Sequence, residues 1–453
     1  MQAQLKEKTK EFLGIAIPAI LESLVTVIIA TIDTKMISVL GKPAISAVSF
    51  TTQPKLIFFS IFFALGTTVT IFVAQANGKK DPKEGNYFFH TILKITLFLS
   101  VILGILLWFL AEPIMRLCNR QPDTLPMSVS FFRIVAGLLI FQAVSTVLNA
   151  ALRGIGKTKV TLLSNVVMGL VDILFNYLLI EGHLGFPRLE VTGDAIATVL
   201  GTAGACLVSV IAILKNRDFL SFRGMLRERI SSNREGLKAI GNKAGNIIFE
   251  NFFTRIGFLL SSIIVSMLSS DQTAVYSVAM ILLNYSFAFG DGIQSAVVAL
   301  TGRSFGSKDT ESFRQFTKIA NVTAIISSVM LSVIYITTSK PYYGSFFSDQ
   351  TAITEGVRSS MIVAVLTMVQ ILRIVQIGVM RGMGEVKDPR RIATLCVLIL
   401  NPLSSYLLTF PAKCGVWGIW QGSIISQGCW LILSLILCRK HMKHLEKKGV
   451  SEC

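Results

Sequence analysis

Residues Glu11–Leu40 read EFLGIAIPAILESLVTVIIATIDTKMISVL. The run is mostly apolar, but it contains Pro18 and, well inside it, the acids Glu22 and Asp33. At roughly 1.5 Å per residue, a helix of this length crosses a hydrocarbon core of about 30 Å with some tilt or bend. A carboxylate at mid-membrane costs about 2.5–3.5 kcal/mol even on a lenient insertion scale. We therefore predict a transmembrane helix in which Glu22 and Asp33 face protein or water. Such acids bind ions, relay protons or pair with a cation, and the alternative is a purely structural hydrogen bond.

The composition of the whole chain extends this prediction. Of the 453 residues, 52% are hydrophobic and only 15% are charged, whereas a soluble domain carries about 25% charged residues. The seven Cys form no C-x-x-C spacing and the four His no cluster, so we expect no disulfide or zinc framework. The first apolar run is too long for the core of a signal peptide, so we expect no separate one. The chain is predicted to be an all-α integral membrane protein.

Apolar runs long enough to span a bilayer occur twelve times, six on each side of a basic, polar stretch. They cover residues 11–39, 46–76, 88–111, 126–151, 159–181, 193–215, 240–268, 273–301, 315–338, 353–380, 389–410 and 416–438. We therefore predict an N-lobe of six helices, a cytoplasmic basic linker, a C-lobe of six helices and a cytoplasmic tail. Their boundaries are 1–215, 216–239, 240–438 and 439–453.

The basic residues predict the orientation of these spans. If the N-terminus is cytoplasmic, the segments on that side hold 30 of the 43 Lys and Arg residues, and the opposite loops hold 6. Cytoplasmic loops of membrane proteins carry such an excess of positive charge. We expect both termini on the cytoplasmic side of a bacterial inner membrane, near anionic lipid headgroups. This placement explains the net charge of +17 without a nucleic-acid partner.

The two halves repeat each other. The sequence ALRGIGKTK begins at Ala151 and VMRGMGEVK begins at Val379, so that Arg153 matches Arg381. The same offset in numbering relates the G-x-K-D motifs at residues 78–81 and 306–309, and it relates Gln142 to Gln370 and Glu22 to Glu250. Two six-helix halves of even helix number run parallel, which predicts two pseudo-symmetric bundles with a binding cavity between them.

Four oxygen-bearing side chains lie at similar predicted depths in the N-lobe. These are Asp33 in the first span, Asp172 and Asn176 one helical turn apart in the fifth, and Thr198 in the sixth. They could form a Na⁺ cage or a coupled carboxylate pair that carries a proton. A polar network that only holds the helices together is the alternative. Lys55 could neutralise one of the acids, which would favour a proton-switched salt bridge over a Na⁺ site.

A second candidate cluster lies in the C-lobe. Glu250, Asp291 and Arg373 are predicted to lie at one depth, about 8 to 10 residues from the inner ends of their spans. Two acids and one arginine leave one carboxylate to load a proton or to bind a cationic substrate. The alternative is an Arg–Glu clamp and a solvated aspartate.

Two enzymatic interpretations are not supported. The sequence RGIGKT at Arg153 resembles part of a nucleotide-binding loop, but a Walker A motif needs a glycine where Ala151 stands. A tight turn between two spans explains it better. The chain also has no H-E-x-x-H and no G-x-S-x-G motif, so we expect no catalytic residue and no enzyme.

Several stretches together resemble the multidrug and toxic compound extrusion (MATE) family of the MOP superfamily, over nearly the whole chain. They are IDTKMISVLG (Ile32–Gly41), the end of the second span (Gln75–Gly78), ALRGIGKT (Ala151–Thr158), VDILFNYLLI (Val171–Ile180) and GDAIATV (Gly193–Val199). The resemblance implies twelve helices in two lobes, a central cavity, and efflux driven by inward Na⁺ or H⁺.

The resemblance also implies roles for individual residues. The family's N-lobe acid falls on Asp33, and its kinking proline, the implied hinge, falls on Pro18. The helix 5 positions that hold an asparagine and an aspartate in the family are occupied here by Asp172 and Asn176, so that the two residue types are exchanged. The family's helix 6 threonine falls on Thr198. In the NorM-type branch, a helix 7 glutamate falls on Glu250. The helix 10 aspartate of that branch falls on Gln370, and Arg373 follows one turn later.

From these patterns we expect a secondary antiporter, monomeric and without a cofactor, that exports amphipathic compounds, with cationic ones favoured. Its partners would be these small molecules and membrane lipids, and H⁺ or Na⁺ would drive the exchange. A flippase for lipid-linked oligosaccharides, from the same superfamily, is the alternative.

Overall fold

The structure is a computed structural model that describes residues 2–119, 121–215, 219–223 and 234–450. It is nearly all helical. The helices are α1 (Gln2–Ile37), α2 (Lys42–Gly78), α3 (Pro82–Cys118), α4 (Leu125–Gly137), α5 (Ile140–Gly154), α6 (Thr158–Leu179), α7 (Val191–Lys215), α8 (Arg234–Ser266), α9 (Ser270–Gly306), α10 (Thr310–Gly344), α11 (Gln350–Gly382), α12 (Lys387–Ala393), α13 (Asn401–Thr409) and α14 (Val416–Val450). A π-helical segment, Thr394–Leu400, joins α12 to α13.

Eleven helical segments of the described chain are long and apolar enough to span a membrane, and α4 with α5 makes a twelfth if the pair is one span. The prediction of twelve spans in an all-α membrane protein is therefore confirmed. The fourth predicted span is bent by 48° between α4 and α5. Gly137 stands at the bend, and a Cβ atom there would lie 2.5 Å from the ring of Trp108. The indole therefore packs against backbone at the place where the helix breaks.

The chain divides into two compact units. One contains residues 1–23 and 245–453, and the other contains residues 24–244. The start of α1, up to Ser23, thus groups with the C-terminal half, whereas the sequence analysis placed it in the N-lobe. Helix α14 also continues to Val450, through the described part of the segment assigned to the tail. Within the assigned linker, residues 216–218 and 224–233 lie outside the described residues.

Within the predicted linker, residues 219–223 pack on the start of α3, and residues 234–239 already belong to α8. Asn86 donates its amide to the Phe219 carbonyl at 2.7 Å and accepts from the Ser221 backbone at 2.8 Å. The His90 ring contacts the Ser221 carbonyl at 2.6 Å, and Leu220 is fully buried. This short segment is therefore held by hydrogen bonds and an apolar anchor.

The repeat is visible in the backbone. Lys80 and Lys308 occupy the left-handed region, at φ 55° and 56°, which is unusual for residues other than glycine. The aspartate that follows each lysine caps the next helix, and Asp309 accepts from the Ser312 backbone at 2.8 Å. Partial burial raises the pKa of Asp309, but the hydrogen bonds from Ser312 and the Glu311 backbone and the charge of Lys8 together bring the pKa below its ordinary value. Both G-x-K-D motifs thus form the same turn and cap.

The glycine turns after α5 and α11 match as well. Gly156 and Gly384 have φ of 79° and 83°, and each donates its N–H to the carbonyl of the arginine three residues before. The RGIGKT sequence therefore forms a helix-ending turn, as expected, and not a phosphate loop.

The π segment changes the spacing of the repeat. Before it, matching positions keep the offset that relates Gly156 to Gly384. After it, the Tyr-Leu-Leu of residues 177–179 recurs at residues 406–408, and the offset has grown by a single position. A π turn holds one residue more than an α turn, so that the segment accounts for the extra residue of the C-terminal half.

Gly292 is expected to be essential for packing of α9 against α1 within the first unit. A Cβ atom at this position would lie 2.4 Å from the Ile20 Cα, so that the two helices can meet only without a side chain there. We expect Gly292→Ala to destabilise the protein by about 1–3 kcal/mol, because a backbone has to move. Thermal unfolding of the purified protein measures this effect. Gly245→Ala on α8 is the control, since nothing lies within 4 Å of its Cβ position, and a similar loss there would contradict the explanation.

Candidate functional site

Four helices of the unit formed by residues 24–244 bring polar side chains together. Helix α1 supplies Asp33, α2 supplies Lys55, α6 supplies Asp172 and Asn176, and α7 supplies Asp194 and Thr198. We call these six residues the acidic cluster. Asp172, Asn176 and Asp194 are at most 4% exposed, and Asp33 and Lys55 are half-buried. Three carboxyl groups in apolar spans are costly unless they hold partners or carry a function.

Asn176 links the acids of the cluster. Its side-chain amide donates to Asp33 Oδ1 at 3.2 Å and also hydrogen-bonds Asp194. The Asp33 and Asp172 carboxyl groups lie close enough to interact with each other, and Thr198 lies close enough to interact with Asp172. The structure therefore brings together the four N-lobe residues that the sequence analysis proposed.

The close approach of α6 and α7 positions Asp172. A Cβ atom at Gly201 would lie 2.9 Å from the Asp172 Cβ and 2.8 Å from the Met168 carbonyl. Near the start of α7, a Cβ atom at Gly193 would lie 2.6 Å from the Leu179 carbonyl. The two glycines of α7 thus allow the helices to pack closely enough for side chains of both to meet.

Lys55 is the basic member of the acidic cluster. It interacts electrostatically with Asp194, Asp33 and Asp172, in that order of strength. It follows Pro54, one of the prolines that stand inside a helix here. Such prolines are tolerated in membrane helices because neighbouring groups satisfy the freed backbone atoms. Lys55 therefore interacts with both acids that it was predicted to neutralise, Asp33 and Asp172, but most strongly with Asp194.

Asp194 is a member of the cluster that the sequence analysis did not propose. It lies in the first turn of α7, where an acid is usually explained by the positive end of the helix dipole. Its sequence context, GDAIATV, pointed toward it, because Thr198 one turn later was already a candidate.

The cluster holds oxygen atoms with spare acceptor capacity. Asp172 Oδ1 and Asn176 Oδ1 are buried and have no hydrogen-bond partner among the described residues. Within that part of the chain, no three His, Cys, Asp or Glu side chains are arranged so that they could hold a metal ion together. Carboxyl, amide and hydroxyl oxygens of this kind can hold either a Na⁺ ion or a proton.

The C-terminal candidates are arranged differently from the expectation. Glu250 forms its ion pair with Arg381, at 3.0 Å, and both side chains are nearly buried, with 6% and 12% of their area exposed. Arg381 also donates to Gln294 at 3.3 Å. The Arg–Glu clamp considered as an alternative therefore exists, but with Arg381 in place of Arg373.

Arg373 lies elsewhere in the same unit. Its Nε donates to Gln427 Oε1 at 3.0 Å, and its guanidinium lies 4.0 Å from the centre of the Trp430 ring. Asp291 and Glu250 act on it electrostatically, while Asp291 itself is exposed. Gln370 is fully buried, and neither of its amide atoms has a hydrogen-bond partner in the described chain. These residues are neighbours without forming one site.

The two remaining candidates lie on the part of α1 that belongs to the first unit. Pro18 is inside α1, which continues through it to Ile37. Glu22 is 6% exposed, one turn after Pro18.

The sequence analysis missed Arg381, although the repeated RG motif had singled it out, because a basic residue at a helix end is usually assigned to the solvent.

The chain matches a known family over both halves. The MatE family model matches residues 18–178 and again residues 247–407, in agreement with the repeat described above. Among solved structures, one described as the crystal structure of MATE in complex with MaL6 superposes with a TM-score of 0.89 at 19% identity, covering 97% of each chain. A second, an outward-facing multidrug resistance MATE family transporter of the MOP superfamily, gives 0.89 at 17% identity, covering 97% of this chain and 96% of the other.

Curated relatives cover the chain almost end to end. The probable multidrug resistance protein NorM of Listeria monocytogenes serotype 4b is 26% identical, covering 95% of this chain and 94% of the relative. The protein of the same name in Thermotoga maritima is 22% identical, covering 93% and 90%. The chain is thus a multi-pass membrane protein that belongs to the multidrug and toxic compound extrusion family, whose members are transporters and not enzymes.

Proposed function

We propose that this protein is a secondary antiporter that exports amphipathic compounds, cationic ones above all, in exchange for protons loaded at the acidic cluster. The observation that carries the proposal is that two carboxyl groups approach each other within apolar spans: Asp172 is 4% exposed, Asp33 is half-buried, and Asn176 donates to Asp33. An antiporter needs a site whose ion occupancy biases one state while substrate biases the other. A carboxyl pair that gains and loses a proton is such a site.

The relatives support the substrate class. Those in Listeria and Thermotoga are named as probable multidrug resistance proteins. This naming does not favour the alternative of a flippase for lipid-linked oligosaccharides. The excess of basic residues in alternate loops supports a bacterial cytoplasmic membrane with both termini inside.

Transport in proteoliposomes tests the proposal. The purified protein is reconstituted, and efflux of the cationic dye ethidium is followed under a proton gradient alone and then under a sodium gradient alone. We expect transport with the proton gradient and its loss when a protonophore is added. Transport with sodium alone would assign the cluster to Na⁺, and no transport in either arm would overturn the antiporter. Protein-free vesicles give the background.

A further inference from the structure

A cavity of about 80 Å³ lies within the unit that contains residues 245–453. Helices α8, α9, α11, α13 and α14 and the π segment surround it. Five of its fifteen lining residues are aromatic, with Tyr276 stacked on Trp420 at 4.6 Å and Trp430 under the guanidinium of Arg373. Arg373 is the charged residue that lines it, and it is only 7% exposed.

The repeat relates this cavity to the acidic cluster. Ser261, before the π segment, matches Asp33 at the offset that relates Arg153 to Arg381. Asn401, behind the π segment, matches Asp172 at the offset that relates Tyr177 to Tyr406. Helices α7 and α14 begin at Val191 and Val416, so that Thr198 corresponds to Ser423. All three counterparts, Ser261, Asn401 and Ser423, line the cavity.

A pair of packing contacts supports this correspondence. In the N-terminal half, a Cβ atom at Gly169 would meet the side chain of Ile29, at 2.2 Å. In the C-terminal half, a Cβ atom at Gly257 would meet Val397, at 2.3 Å from its carbonyl. In the repeat, Ile29 matches Gly257 and Gly169 matches Val397. The same two positions therefore meet in both halves, but the glycine is on α6 in the first half and on α8 in the second. The cavity is therefore the repeat counterpart of the acidic cluster, and it carries an arginine and neutral side chains where the cluster carries acids.

The cavity lining includes strong hydrogen-bond donors, alongside one buried acceptor without a partner in the described chain, Asn401 Oδ1. Arg373 has five N–H groups, and Gln427 accepts from its Nε. The indole N–H groups of Trp420 and Trp430 are buried without an acceptor in the described part of the chain, on residues that are 1% and 3% exposed. The Asn401 side chain donates to Ser261 at 2.9 Å, and Ser426 donates to the Cys396 carbonyl. Buried donors without acceptors are costly, most of all beside a positive charge.

The carboxylates that act on Arg373 do not line the cavity. Glu250 is held by Arg381, and Asp291, the stronger of the two, is exposed. Neither supplies an acceptor to the indole N–H groups.

We propose that this cavity binds a small monovalent anion, held by the Arg373 guanidinium and by the indole N–H groups of Trp420 and Trp430. Its volume suits a halide or a carboxylate of the size of formate or acetate, since pockets for drug-sized molecules have about 300–1,000 Å³. Charge-assisted hydrogen bonds to these donors supply the affinity. The site is separate from the proposed coupling cluster and does not depend on it.

Titration of the purified protein with sodium chloride, formate and acetate tests this site. Ionic strength is held constant with sodium gluconate, whose anion is too large for the cavity. The readouts are tryptophan fluorescence, since two of the four Trp residues line the cavity, and the thermal unfolding midpoint. We expect a saturable response to at least one small anion. Comparing the chloride titration with the formate and acetate titrations shows whether the site binds a halide or a carboxylate.

Variants distinguish the site from a general salt effect. We expect Arg373→Gln to weaken binding by about ten-fold or more, because a hydrogen bond to a charged group is lost. Trp420→Phe keeps an aromatic ring of smaller size, removes the N–H, and is expected to weaken binding several-fold; it also serves if Arg373→Gln does not fold. Arg358→Gln is the control, since its guanidinium lies 5.1 Å from the centre of the Trp417 ring, away from the cavity. A wild-type response that gluconate reproduces, that both cavity variants retain, or that is absent would overturn the proposal in favour of a water-filled cavity.

Discussion

Asp33→Asn is expected to reduce ion-driven export to the background of protein-free vesicles, while the protein still reaches the membrane in normal amounts. The amide has the shape of the carboxyl group and can still accept from Asn176, so that packing of the cluster is kept. It cannot release a proton, and the Asp33–Asp172 pair loses its ability to change charge. Dye efflux under a proton gradient, and drug resistance of a pump-deficient host, measure the effect.

The matched control is Asp271→Asn, an exposed acid in the first turn of α9. It removes the same charge from the same protein and is expected to transport like the wild type. Full activity of the Asp33 variant, with its abundance confirmed by immunoblot, would falsify the assignment of the coupling site.

Arg381→Gln is expected to give the largest loss of stability of the changes considered. It removes the ion-pair partner that directly contacts the buried Glu250, and removing one partner of a buried ion pair costs about 3–5 kcal/mol. Adding Glu250→Gln is expected to restore much of the loss, because the double variant buries two neutral amides that can still hydrogen-bond. Thermal unfolding of the single and double variants in detergent measures the coupling between the two residues.

An exposed pair provides the comparison. Arg116 and Glu112 approach to 2.6 Å, but their side chains are 66% and 49% exposed. Arg116→Gln is therefore expected to cost about 0–1 kcal/mol. If the Arg381 and Arg116 variants lost equal stability, burial would not be the cause. If the double variant were as unstable as Arg381→Gln alone, the unpaired charge of Glu250 would not explain the loss.

The helical architecture could be predicted because every span is long and apolar, which leaves few other structures for the chain in a bilayer. The bend between α4 and α5 could not be predicted, since it depends on Trp108 packing against Gly137, a contact between helices. The assignment of residues 1–23 to the C-terminal unit also depends on tertiary packing, which cannot be read from the hydropathy of the sequence.

Within the candidate site, depth along each span predicted the meeting of Asp33, Asp172 and Asn176 correctly. Depth was less informative for the second half. Glu250 and Arg373 have similar depths, but the clamp is made by Arg381, whose long side chain comes from the end of α11. Counting residues locates a Cα atom, whereas an arginine places its charge several ångströms away from it.

The π segment also affects how experiments on one half can be used for the other. Tyr177 corresponds to Tyr406, but the spacing that relates Arg153 to Arg381 would select Ser405 instead. Neighbouring residues point about 100° apart around a helix. A mutational scan that compares the halves position by position must therefore change its numbering within Thr394–Leu400, or it will compare a lipid-facing position with one turned inward.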